Sequence, residues 1–413
     1  MELSRVVDDL SIPFWKPFLV RYFADACSGE SDMLSRQRIR EAASLVSFDE
    51  GEAEEVEQLR AYAAAHPALK AFIRTLKYAL YESAEPVSFA DFPQLELMGT
   101  EGYGYNLLLV LEAVGTTYER LIQRSVPEEI IRDTLQDIAV WSRFFKRSRS
   151  AFGFNRRILE WFQFHLSGRL FKLGRLQFII YPFPNDIKVF RTDDDSLIAF
   201  CGPGQTFDAE GYSFLPGTRD TKAFESVYIE DADTITAHQI LPEGRVLPDP
   251  VTVHKAGLVL ELEKGTPMLD YHIQEGEPLD IEKCITSMLK ALEFFPRFFP
   301  YERFKGFMGR SWLLDPRFKR ILKPDSNIIK FMDLFFLYPF EGEIDECLWR
   351  VFGDAGLSRN TEAFPQNTGM QRAMVQFLKS GGVIGEGGAF LLVKDFLKNI
   401  AHREDHTPIE STR

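Results

Sequence analysis

Asp270 and His272 stand two apart in the run MLDYHI (268–273), with Leu269, Tyr271 and Ile273 alternating between them. In an extended strand this spacing puts the carboxylate and the imidazole on one face and the three apolar side chains on the other. A carboxylate beside an imidazole holds its tautomer and raises its basicity, as a general base requires. The same pair also serves as a satisfied structural contact, so both readings stand.

Ser311, in FKGFMGRSWLL (304–314), is the third chemical candidate. Alternation groups it with Phe307, Gly309 and Leu313, and Met308, Arg310, Trp312 and Leu314 take the other face. Its hydroxyl suits a polar contact or a weak acid. No G-x-S-x-G elbow surrounds it, which argues against hydrolase chemistry. Gly306 and Gly309 let a ligand or another backbone approach closely.

Between these runs, QEGEPLD (274–280) feeds a helix that Asp280 can cap, IEKCITSMLKALEFF (281–295). Free backbone N–H groups and a partial positive charge at a helix start suit an anion. Glu275 and Glu277 set negative charge in the same place, and an ordinary strand-to-helix turn has this pattern too.

The elements that must carry these residues run from Gly257 to Phe340. They read as strand (257–263), turn (264–267), strand (268–274), loop (275–280), helix (281–295), strand (304–314) and helix (326–336). Upstream, residues 1–150 read as all-helical, because apolar residues recur three and four apart. One helix follows Pro127, with Ile130, Ile131, Leu135, Ile138, Trp141 and Phe145 on one face; others cover Tyr105 to Arg124 and Asn155 to Leu173. The acidic FDEGEAEEVE (48–57) reads as a solvated face, and Arg143, Lys146, Arg147 and Arg149 as helix-end cations or a phosphate contact. GRLQFIIYPF (174–183) turns to strand character, and the domain boundary falls near 150. Short strands then alternate with the turns DDD (193–195), CGPGQ (201–205), LPGT (215–218), LPEG (241–244) and LPDP (247–250). The tail 401–413 is polar and expected to fray.

The 413 residues are 45% apolar with a net charge of −13, which supports full cores and argues against a nucleic-acid partner. Four dispersed cysteines, with no C-x-x-C pair and no histidine at ligand spacing, give free thiols and no metal site, as in a reducing cytoplasm. MELSRVVDDLSIPFW lacks the basic flank and apolar core of a signal peptide. The longest apolar run, Leu107 to Leu111, is far short of the roughly 20 residues that cross a bilayer.

Six ordered motifs carry a resemblance: GRLQF (174–178), GRVLPDPVT (244–252), YHIQEGEPL (271–279), ALEFFPRFFP (291–300), SWLLDP (311–316) and PDSNIIKF (324–331). Together they resemble bacterial acyltransferase domain-containing proteins, which join an N-terminal helical N-acyltransferase-type domain to a GNAT-like C-terminal domain. The resemblance implies an α+β protein: a helical domain (1–150), then a GNAT-like mixed sheet flanked by helices (151–400). MLDYHIQ and FMGRSWLL would be the two strands that splay to admit the pantetheine arm of acyl-CoA or acetyl-CoA. Ile273, Gln274, Glu275, Gly276, Glu277 and Leu279 would hold the cofactor, and Asn327 would open the following helix. The departures are also specific. Phe336 occupies the place of a tyrosine that protonates the leaving thiolate, and Tyr338, two helical positions on, would point about 200° away. Gly309 and Arg310 stand where relatives often have Cys and His, and Gln274-Glu275-Gly276-Glu277 replaces P-x-G-G.

Two functions follow. The first is acyl-CoA-dependent N-acyl transfer to an unknown amine, with His272 as base, Asp270 assisting and Ser311 as polar contact. The second is an inactive GNAT-like module that binds a ligand or a protein, with the helical domain offering the partner surface.

Overall fold

The computed structural model describes residues 2–28, 33–84, 87–95, 102–213, 223–342 and 344–405. The LPGT turn and residues 406–413 lie outside them. The protein is α+β, helical first and mixed afterwards. It forms two compact units, Met1–Leu173 with Gln274–Gly276, and Gly174–Ile273 with Glu277–Arg413.

In the first unit the helix Tyr103–Gln123 buries Leu107 through Leu111 on every side, as an all-apolar turn must. The stretch after Pro127 is two helices rather than one, Glu128–Leu135 and Asp137–Arg149, with a turn at Gln136. The helix expected over 155–173 stops at Leu166. Asn155 Oδ1 accepts the Ile158 N–H at 3.2 Å to start it, and Gly168, at φ +66°, turns the chain out of it. Phe171–Leu173 is already a strand. The acidic segment and the basic cluster, read separately in the sequence, are partners. Arg143 Nε and Nη2 donate to the two Glu52 oxygens at 2.6 and 2.7 Å, and Lys146 pairs with Glu55.

In the second unit five strands of the main sheet are β1 (Leu176–Pro182), β2 (Pro267–Ile273), β3 (Gly306–Ser311), β4 (Phe336–Phe340) and β5 (Glu386–Leu392), side by side as β1-β2-β3-β5-β4. Only β2 and β3 run parallel, which requires a long crossover. The helix Ile281–Phe298 supplies it, started by Asp280, whose Oδ1 accepts the Lys283 N–H at 2.9 Å. The strand expected over 257–263 is Val259–Leu262, and it pairs with Ile187–Arg191 in a separate four-stranded sheet. Met268, Met308, Tyr338 and Phe390 from the main sheet pack with Phe183, Val189, Ala199 and Leu262 in one core.

Four further expectations change. The helix over 326–336 ends at Met332, and Phe336 opens β4 instead. With a strand period of two, Phe336 and Tyr338 share a face rather than pointing apart. The strand over 304–314 ends at Ser311, because the Ser311 oxygen accepts the Leu313 N–H at 3.2 Å and turns Trp312–Leu314 into a 3-10 turn. The helix Val393–Asp405 takes in the start of the polar tail. Among the described residues, no helix is long and apolar enough to cross a membrane.

Candidate active site

The register between β2 and β3 is short. Leu269 faces Phe307 and Asp270 faces Met308, and past that step the two strands have no register with each other. Each stays paired on its outer side: Tyr271, His272 and Ile273 with Phe178, Gln177 and Leu176; Gly309, Arg310 and Ser311 with Ala389, Gly388 and Gly387. Two strand edges inside one sheet therefore face each other with main-chain donors and acceptors that the other strand does not use.

Asp270 and His272 come together on one side of this parting, as their spacing requires. His272 Nε2 lies 3.5 Å from Asp270 Oδ2; the carboxylate is buried and the imidazole side chain is 33% exposed. The same face holds Arg310, whose guanidinium lies 5.4 Å from the Phe340 ring centroid, and Tyr338, whose hydroxyl donates to Asn185 Oδ1 at 3.1 Å. Burial pushes the Tyr338 phenol well up, with Arg310 acting against that and Asp270 adding to it.

Ser311 is not part of that group, since alternation from Arg310 puts it on the opposite face with Gly309. On that face the Tyr271 ring lies against Gly309. A Cβ added there would meet ring atoms of Tyr271 at 2.4 to 2.9 Å, so only glycine fits. Phe331 and Phe335 pack on the same ring at centroid distances of 5.5 and 5.1 Å.

The loop after Ile273 is held from its own two units. Gln274, Glu275 and Gly276 cluster with the first: Gln274 Nε2 donates to Asp137 Oδ1 at 2.7 Å, and Arg147 Nη2 to Glu275 Oε1 at 2.7 Å. Asp137 also accepts from Trp161 Nε1 at 3.1 Å and has His165 Nε2 at 3.1 Å. Burial alone would raise the Asp137 carboxyl, but these partners hold it below the usual carboxylate range. In the second unit, Arg175 Nη2 donates to the Glu277 carbonyl at 2.6 Å and Nε to the Pro278 carbonyl at 3.0 Å. Leu279 is buried, Gly276 has φ +111°, and the Glu277 carboxylate lies 3.6 Å from Lys283 Nζ. Asn327 is exposed as first residue of its helix, which Ser326 caps.

Reading the sequence passed over Tyr271, Arg175 and Asp137. A signal existed for the first in Gly309, and for the last in an aspartate set between Leu135 and Ile138 on an apolar face. Among the described residues, no group of three or more His, Cys, Asp or Glu is placed to hold a metal ion.

The family model described as a GNAT-like C-terminal domain matches residues 170–391, and one described as an N-acyltransferase N-terminal domain matches residues 37–168. Among solved structures, an acyltransferase in complex with decanoyl-CoA and teicoplanin is 20% identical, over 95% of this chain and 100% of that one, with a TM-score of 0.64. An acyltransferase mutant in complex with octanoyl-CoA is 19% identical, over 95% and 99%, also at 0.64. At such identities the likeness is one of fold. No curated protein sequence matches this chain.

Proposed function

Since the chain belongs to the family with the GNAT-like C-terminal domain, we propose that it transfers an acyl group from an acyl-CoA to an amine acceptor. The observation that carries this reading is the parting of β2 and β3 after Asp270 and Met308. Two facing strand edges offer main-chain hydrogen bonds to an extended chain with amides of its own, and the pantetheine arm is such a chain. The structural relatives bound to octanoyl-CoA and decanoyl-CoA favour a medium-length acyl group here as well.

In this reading His272, oriented by Asp270, takes the proton of the attacking amine, and Ser311 makes a polar contact from the other face. The backbone around Ile273 meets the acyl carbonyl, and Gln274, Glu275, Gly276, Glu277 and Leu279 form the loop beneath the pyrophosphate, followed by Asn327 further along. The Arg175 guanidinium shapes that loop and counters the charge of Glu277. A module that holds acyl-CoA without transferring it is the second reading, favoured by those two glutamates and by Phe336, which stacks on Phe390 and has no proton to give.

Isothermal titration with acetyl-, octanoyl- and decanoyl-CoA tests the reading, with Gly276→Trp as the loop variant. Binding that the variant abolishes supports it, and release of free CoA on adding an amine separates transfer from binding alone. A folded protein that binds none of the three at millimolar concentration removes it.

A further inference from the structure

Tyr271 is the first residue of β2 past the last step shared with β3. The residue is 4% exposed, and its hydroxyl is buried with no hydrogen-bond partner among the described residues. An unmade hydrogen bond in such a place is costly, whereas phenylalanine would fill the same space without that cost. The ring points across the parting: of its atoms, Cζ, which carries the hydroxyl, comes closest to the missing Cβ of Gly309, at 2.4 Å. Phe331 and Phe335 hold it there from the helix side. A donor is thus held over Gly309, on the β3 side of the parting, where nothing among the described residues receives it.

We propose that the Tyr271 hydroxyl is a second hydrogen-bond donor, beside the backbone around Ile273, for the thioester carbonyl oxygen of the acyl donor lodged between β2 and β3. The proposal rests on the acyl-transfer reading and adds to it a residue that touches the reacting group. As the amine nitrogen attacks the carbonyl carbon, the π electrons move onto the oxygen, and the phenol donates to that oxygen without giving up its proton. Collapse of the adduct re-forms the carbonyl and breaks the carbon–sulfur bond. The proton that His272 takes from the amine is the one the departing thiolate ends with, so the step balances. Burial, with smaller contributions from Tyr338, Asp270 and Cys284, keeps the phenol protonated well above its ordinary range, which suits a donor that is not consumed.

The test is Tyr271→Phe in the full chain, titrated with octanoyl-CoA and with CoA, which has no thioester carbonyl, alongside its melting temperature without ligand. The expected result is about tenfold weaker octanoyl-CoA binding, the size of one hydrogen bond's worth of affinity. CoA binding should be unchanged, and the melting temperature unchanged or raised. Equal affinities for both ligands in variant and wild type, a parallel loss of both, or a clear drop in melting temperature overturns the proposal while leaving acyl-CoA binding intact. A wild type that binds neither ligand removes the acyl-transfer reading and this assignment with it.

Discussion

His272 Nε2 stands 3.5 Å from Asp270 Oδ2, and Asp270 is the last residue of β2 in register with β3. The imidazole is therefore carried just past the point where the sheet opens, with a buried carboxylate behind it. If His272 is the base, His272→Ala lowers turnover of an amine with octanoyl-CoA by at least about a hundredfold, and Asp270→Asn by about tenfold through lost orientation. Steady-state release of free thiol measures both. Full activity in His272→Ala would end that assignment.

Gly309 has no room for a side chain, since its Cβ would sit 2.4 Å from the Tyr271 ring. Gly309→Ala should cost about 1–3 kcal/mol of stability by overpacking, or displace the ring. A urea midpoint matching wild type, with unaltered acyl-CoA affinity, would mean that the ring is not confined there.

Arg175 holds the carbonyls of Glu277 and Pro278 at 2.6 and 3.0 Å. Arg175→Met removes two charge-assisted hydrogen bonds, each worth about 1.5–3 kcal/mol, so octanoyl-CoA should bind at least tenfold more weakly. Titration calorimetry on a variant shown to be folded reads this directly, and an unchanged dissociation constant would detach the loop from the ligand.

Two buried aspartates should respond to acid in opposite ways. Asp137 is held below the usual carboxylate range, so its contribution is fully present above its unfolded-state value of about 3.9 and is lost as pH falls through its folded value. Burial outweighs Arg317 at Asp315 and pushes that carboxyl up, so its charged form costs stability at neutral pH and the cost eases as pH falls through the raised value. Urea midpoints from pH 7 to 3 should show Asp137→Asn converging on wild type in acid. Relative to wild type, Asp315→Asn should lose ground over the same range. The reverse pattern would contradict both directions.

The Ser311 oxygen accepts the Leu313 N–H at 3.2 Å, a turn-starting role in its own right. Ser311→Ala should cost about 1 kcal/mol of stability and leave turnover within about tenfold of wild type. A hundredfold loss of turnover without a change in midpoint would move Ser311 into the chemistry.

Period alone was enough to place Asp270 with His272 on one face, because a strand's two-residue repeat is a local property of the backbone. The helix start at Asp280, the helical first part and the α+β class were legible for the same reason: caps and apolar spacing act over a few residues. What went astray were ends. The run Asn327–Phe340 has one apolar pattern that serves a helix or a strand, and only pairing with Glu386–Leu392 made its second half β4 and put Tyr338 beside Phe336.

Sequence by itself therefore determined the kinds of element, the chemical pair at 270 and 272, and the motifs that mark the family. Tertiary structure alone decided where β2 and β3 cease to pair, that the ring of Tyr271 lies over Gly309, and that Asp137 receives Gln274 from 137 positions away. The division is physical: periodicity and capping are written in neighbouring residues. An unmade register, a vacancy that only glycine leaves and a buried carboxylate's partners depend on segments far apart in the chain.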